Sequence, residues 1–395
     1  MGRGRIGEME KEKGRWKSRL LDVLIYLLYM LVGGVIGYIV AFRCRPGDDV
    51  VRFLRNIVLL SASLYVAVYV QILFHELGHL LGGKISGYRF IFFRFASCTV
   101  AKEGGHLRIR RLNVPGTSGQ CLMNPPDRAL EKTSFVAYFL GGCFCNLLIG
   151  GICLAAYGFL PHRDGSLLAT LFLCIAIVGI LFAFLNGIPL HIGGIANDGM
   201  NVRKMSQSAD VRQAVFHQTR LAVLLSEGQP LTDFPDSLFQ LPSEEADISD
   251  QNIASLKMME YSIRFYQRNY AKAGALLGEL YRARESLPMF IRQELNGELL
   301  FYYAYIRRDR QRARQLFTGD LEEYLEKQAT LENNRILASY LLFVEKDKEQ
   351  GEKTLQDAWR AAKYSLYPAV VEAEKELLAK MGAEIREWTQ EDWQY

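Results

Sequence analysis

The amino-acid sequence predicts a mainly α-helical, polytopic membrane protein. It should have about four transmembrane helices, a small β-hairpin or sheet at the membrane, and a C-terminal α-helical repeat (α-α hairpin) domain. Three features carry this expectation. Four apolar runs between residues 20 and 187 each reach the roughly 20 residues that cross a bilayer. An aromatic and β-branched stretch with a Gly-Gly turn lies between the second and third runs. Beyond residue 205, Glu, Lys, Arg and Gln interleave with Tyr and Leu in a helical pattern, interrupted by a loop at 227–250.

Residues 1–19, MGRGRIGEMEKEKGRWKSR, form a basic flank too polar for an ordinary signal peptide. The segment 20–42 reads as an accessory transmembrane helix, and 57–83, 133–158 and 167–187 as three more. Lys and Arg concentrate before the first run, between the second and third (84–132), and after the fourth at Arg203 and Lys204. By the positive-inside rule both termini are cytoplasmic, although four Arg in 43–56 run against it. With no organelle signal at the N-terminus, the expected location is a plasma membrane, bacterial by preference.

The 84–132 connection contains YRFIFFRFASCTVAKEGGHLRIRRLNV, a hairpin pattern turning at Gly104-Gly105, and then breaks at Pro115, Gly116, Gly119, Pro125 and Pro126. The net charge of +4 includes no basic stripe, so no nucleic-acid partner is expected. Seven cysteines include no CxxC pair, and Cys145, Cys153 and Cys174 lie inside apolar runs. They read as small hydrophobes rather than as a disulfide framework.

The chemistry concentrates in LFHELGHLLGG, residues 73–83. His75 and His79 are four apart and share one helix face, where two imidazoles hold one zinc ion. Zinc lowers the pKa of a bound water to near 7, and Glu76 is placed to take its proton. HExxH also arises by chance, as polar residues solvated by headgroups at a helix end. Its position in an apolar run favours function, because ionisable groups there are costly.

Zinc in a catalytic site takes a third protein ligand. Asp164 falls in an outer loop, and His106 in the hairpin should face water. The segment FLNGIPLHIGGIANDGMNV, residues 184–202, offers Asp198, followed by the permissive Gly199, with His191 in reserve. The competing explanation of Asp198 is an ordinary Asn-Asp-Gly turn.

Three motifs now resemble, in order, the site-2 protease family of intramembrane zinc metallopeptidases. His75-Glu76-Leu77-Gly78-His79 matches its HExxH on a membrane helix. Gly142-Cys143-Phe144-Cys145-Asn146 is similar to its Gly-Pro-x-x-Asn, with Cys143 where proline is usual. Asn186-Gly187-Ile188-Pro189 and Asp198-Gly199 resemble its Asn-x-x-Pro and Asp-Gly, with a longer stretch between them here. The resemblance covers residues 55–205, the expected catalytic membrane core. It implies a zinc metalloendopeptidase with His75, His79 and Asp198 on Zn2+ and Glu76 as general base. The implied substrates are transmembrane proteins or membrane peptides, received at the hairpin as an added strand. Asn146 and Asn186 would position the peptide or stabilise the oxyanion. Helix–helix hydrogen bonding explains them equally well. The His/His/carboxylate set suits zinc and also accepts other divalent ions.

Residues 206–250 read as a helix and linker, and 251–395 as a cytoplasmic helical-repeat domain. RNYAKAGALL (268–277), RDRQRARQLF (308–317) and KDKEQGEKTL (346–355) align, with Ala273, Ala313 or Gly351 at the same place. The pattern resembles tetratricopeptide-type hairpins, whose stacked helices offer a groove to a protein partner; a plain bundle is the simpler explanation. Two other functional classes compete with the protease: a non-catalytic scaffold presenting this domain, and a zinc-binding sensor or transporter. The intact Glu76 weighs against the first. The lack of a second ionisable cluster in the apolar runs weighs against the second.

Overall fold

The structure is a computed structural model. It describes residues 49–103, 106–111, 118–126, 133–161, 166–192, 194–365, 367–389 and 392–393, together with Gly33, Gly34 and Gly37. The expected first transmembrane helix, 20–42, otherwise lies outside the described residues. The protein is mainly helical with a small antiparallel sheet, and the chain clusters into two compact units. One unit gathers the chain up to Gly82 with Phe135–Ile192 and Ala196–Val202; the other holds Gly83–Ser134, Gly193–Ile195 and Arg203–Tyr395.

In the first unit three helices are long and apolar enough to cross a membrane: α1 (Val50–Ile85), α2 (Val136–Phe159) and α3 (Leu167–Gly187). Helix α1 begins before the apolar run, since Phe53 N already donates to Asp49 O at 3.0 Å. Leu160, extended before Pro161, closes α2. Ser166 caps α3, its Oγ accepting from Ala169 N.

The bundle is sorted by size rather than by polarity. Its buried positions include Ala67, Gln71, Cys145, Asn146, Gly150, Cys174, Ala176 and Gly179. Large apolar side chains point outward, among them Val58, Tyr65, Phe144, Leu147, Ile152, Ile180 and Phe184. Helices in lipid pack this way, because small residues let backbones approach while large ones face the acyl chains.

In the second unit, β1 (Arg89–Phe95), β2 (Cys98–Glu103), β3 (His106–Arg111) and β4 (Gly119–Asn124) form one antiparallel sheet in the order β3-β2-β1-β4. The expected hairpin is the β2–β3 pair, in register from Cys98↔Arg111 to Glu103↔His106. The chain adds two strands to it. The β1–β2 turn passes through Ala96 at φ 51°, a left-handed residue that no Gly or Asn announced. Strand β4 returns along the other side of β1, with a register shift between Phe90 and Phe92.

After the two-residue strands β5 (His191–Ile192) and β6 (Ile195–Ala196) the chain is helical: α4 (Asp198–Gln207), α5 (Ala209–Ser226), α6 (Gln251–Tyr266), α7 (Tyr270–Ala283), α8 (Met289–Phe301), α9 (Arg310–Leu316), α10 (Gly319–Lys327), α11 (Leu331–Tyr340), α12 (Lys348–Ala361) and α13 (Pro368–Arg386). Three junctions share one geometry. Arg268, Arg308 and Lys346 each adopt a left-handed conformation, at φ 60°, 56° and 62°. The next residue, Asn269, Asp309 or Asp347, caps the helix that follows by accepting a backbone N–H.

This unit buries an ionic network. The Arg335 guanidinium donates to Glu298 at 2.7 Å and to Glu374 at 2.9 Å and lies over the Phe301 ring. Tyr261 donates to Glu298 at 2.8 Å and Tyr266 to Glu374 at 2.6 Å.

Candidate metal centre

His75 and His79 stand one turn apart on α1, and Asp198 opens α4. The fold brings them together. His75 Nε2 lies 3.1 Å from His79 Nε2, and Asp198 Oδ2 lies 3.2 Å from the first and 3.5 Å from the second. They are the group among the described residues with metal-ligand chemistry and spacing. Glu76 is buried between them in sequence.

Hydrogen bonds behind the rings decide which nitrogen faces the centre. His79 Nδ1 lies 2.8 Å from the Tyr138 carbonyl oxygen, which only accepts, so in the neutral ring Nδ1 carries the proton and Nε2 a lone pair. His75 Nδ1 lies 2.7 Å from Asn146 Oδ1. The Asn146 amide is itself oriented, because its Nδ2 donates to the Gln71 carbonyl oxygen at 2.8 Å and to Gln71 Oε1 at 2.7 Å. Oδ1 therefore accepts from His75, and the His75 Nε2 lone pair also points at the shared centre.

With both rings neutral, two lone pairs and a carboxylate oxygen converging at 3.1–3.5 Å repel one another unless a cation joins them. Donors held tetrahedrally at about 2.0–2.2 Å from zinc stand roughly 3.3 Å apart. The three donors fit that spacing. Both imidazoles also hand their second nitrogen to an acceptor, as metal-binding histidines do.

Close helix approach makes these bonds possible. A Cβ on Gly78 or on Gly141 would overlap the other's backbone carbonyl, and one on Gly82 would overlap that of Ala137. Gly142 lets His75 lie against α2, since a Cβ there would sit 2.6 Å from the ring's Cε1. Gly78 and Gly82 form a GxxxG pair inside the HExxH segment.

Asp198 is delivered by a folded loop. Asn197, buried just before it, accepts from Leu190 N at 3.1 Å and from Met200 N at 2.9 Å. Its Nδ2 donates to the Leu185 and Ile188 carbonyl oxygens at 2.5 and 2.6 Å. One side chain thus caps α4 and ties its start to the end of α3, which absorbs the long stretch between Pro189 and Asp198. Asp198, in the first turn of α4, also sits where a helix favours negative charge.

The remaining candidates fall elsewhere. His191 is exposed on β5, and His106 is exposed on β3. Asn186 is half-buried and donates to Phe182 O at 3.0 Å, one turn back on its own helix. Asn146 makes helix–helix hydrogen bonds, the alternative to an oxyanion or substrate role. Both directions of its amide are committed, the donors to Gln71 and the acceptor to His75.

Sequence reasoning missed Gln71, Tyr138 and Asn197. A signal existed for two of them: Gln71 lies four residues before His75, and Asn197 precedes a helix as its cap. Tyr138 acts through its backbone oxygen, which no residue type announces. No protein-family model, curated protein or solved structure matches the chain.

Proposed function

We propose that residues 55–205 form the catalytic core of an intramembrane zinc metallopeptidase that hydrolyses peptide bonds in or near transmembrane segments of other membrane proteins. The observation that carries this is the convergence of Asp198 Oδ2 with His75 Nε2 and His79 Nε2, both Nδ1 atoms tied back, at a helix of membrane-spanning length. The resemblance of these residues to the site-2 protease motifs points the same way.

His75, His79 and Asp198 would hold the ion. Bound zinc supplies Lewis-acid charge and an acidified water at neutral pH. Glu76 takes the proton of the attacking water and returns it to the leaving amine, a role worth about 10²–10⁴-fold in rate. Asn146 and Tyr138 keep the imidazoles in the ligating tautomer. Asn186 remains the candidate for contact with the peptide. The four-helix topology with both termini cytoplasmic, and a plasma-membrane location, belong to the same proposal.

The three matched left-handed-plus-cap junctions support a helical-repeat domain at 251–395 that binds a cytoplasmic protein partner. The test of the catalytic proposal uses the full chain in detergent or lipid, wild type beside Glu76→Gln. Metal is measured by elemental analysis, and cleavage on a panel of single-span membrane proteins. Near-stoichiometric zinc in both, with cleavage in wild type alone, is the expected result. Absence of metal from both would overturn the proposal and favour a scaffold.

A further inference from the structure

We infer that Gln71 is a positioning residue of the metal centre, setting through Asn146 which nitrogen of His75 faces His79 and Asp198; this rests on the metal-binding reading above. Gln71 lies on α1 four residues before His75, on the same face, and neither its side chain nor that of Asn146 is exposed at all. Gln71 Nε2 donates to the Ile175 carbonyl oxygen on α3 at 2.9 Å. That oxygen only accepts, so the amide cannot turn round. Its Oε1 must then face Asn146 and receive Nδ2 at 2.7 Å, beside the Gln71 carbonyl oxygen, which receives the same Nδ2 at 2.8 Å. Asn146 Oδ1 is left for His75 Nδ1 at 2.7 Å.

Each link dictates the polarity of the next, and the series runs from a backbone carbonyl on α3 to a ligand nitrogen on α1. Gly179 makes room for it: a Cβ there would overlap Gln71 Nε2 and come 2.7 Å from Asn146 O. Polar residues that merely tie helices together need a single bond and no fixed direction. Here the Gln71 and Asn146 amides spend donors and acceptors alike, and the series ends at an imidazole whose other nitrogen meets His79 Nε2 at 3.1 Å and Asp198 Oδ2 at 3.2 Å. Partners of this kind typically govern metal affinity by 10–100-fold.

The test titrates Co2+ alone into the metal-stripped full chain in detergent, reading visible d–d absorption for wild type, His75→Ala, Gln71→Met and Gln71→Glu. Gln71→Met keeps length and apolar fit in a span but neither side-chain hydrogen bond, leaving Asn146 only the backbone acceptor. Gln71→Glu, held neutral by burial, keeps an acceptor for Asn146 and a donor for Ile175. Helix content by circular dichroism checks folding of each.

The expected result is tight binding by wild type, none by His75→Ala, about 10-fold or more weakening with altered bands in Gln71→Met, and recovery in Gln71→Glu. Gln71→Met that binds Co2+ as wild type does would overturn the inference and leave the metal site standing. Weak binding in both Gln71 variants would also overturn it, by assigning the effect to packing. Failure of wild type to bind would overturn the inference and the metal site together.

Discussion

Gly78 of α1 and Gly141 of α2 face each other so closely that a Cβ on either would overlap the carbonyl oxygen of the other. The contact sits inside the HExxH turn, so the distance between these two backbones sets whether His79 reaches Tyr138 O and His75 reaches Asn146. Gly78→Ala forces the helices apart at that level. Overpacking of this kind costs about 1–3 kcal/mol. The expected outcome is a lower unfolding temperature in detergent together with weaker metal binding. An exposed substitution one turn away, Leu81→Ala, leaves metal content unchanged.

A second prediction concerns the loop that carries Asp198. Asn197 fills all four of its hydrogen-bonding positions, two of them on carbonyls at the end of α3 and one as the α4 cap. Asn197→Ala removes the cap, worth about 0.5–2 kcal/mol, and strands a buried backbone N–H for about 1–3 kcal/mol more. Metal affinity should fall with stability, because the Asp198 carboxylate loses its fixed approach to the histidines. Asn186→Ala breaks one bond within its own helix and should leave metal affinity intact. Metal content after dialysis against a weak chelator separates the two variants.

What was legible in the sequence follows from what period and composition can express. Apolar length located α1, α2 and α3, and HExxH located two members of the His75, His79 and Asp198 cluster, because both are local signals. The start of α1 at Val50 escaped, since Arg52 and Arg55 continue the helix beyond the apolar residues. The four-stranded sheet read as a hairpin because Ala96 turns the chain with no turn residue to mark it. The buried amides were harder still. Gln71 and Asn146 acquire their roles only when three helices meet, and the backbone oxygens of Ile175, bonded by Gln71, and of Tyr138, bonded by His79, carry no sequence signature.

The choice between Asp198 and His191 as third ligand gives a third prediction. Asp198 Oδ2 lies 3.2 and 3.5 Å from the two imidazole nitrogens, while His191 is exposed on β5. Asp198→Ala should lose stoichiometric metal, and His191→Ala should retain it. The reverse pattern in elemental analysis would reassign the ligand.

The buried network around Arg335 gives the last prediction. One guanidinium serves two carboxylates, so Glu298 and Glu374 cannot both be neutralised by it. Burial, the largest influence, raises the Glu374 carboxyl from its ordinary 4.5 to about 7, against the pull of Arg335. A carboxyl raised on folding holds its proton more tightly in the native state. Its contribution is therefore complete below pH 4.5 and lost as pH rises through about 7. A shift of this size corresponds to about 3 kcal/mol. Hydrogen exchange of α8, α11 and α13 amides in the full chain should report stronger protection at pH 5.5 than at pH 8, after correction for intrinsic rates. Glu374→Gln, neutral and of the same shape, should flatten that dependence. Arg335→Met should instead steepen it and destabilise these helices by about 3–5 kcal/mol, because it leaves two buried carboxyls without their counter-ion. A flat profile in wild type would mean that Arg335 keeps the Glu374 carboxylate ionised across this range.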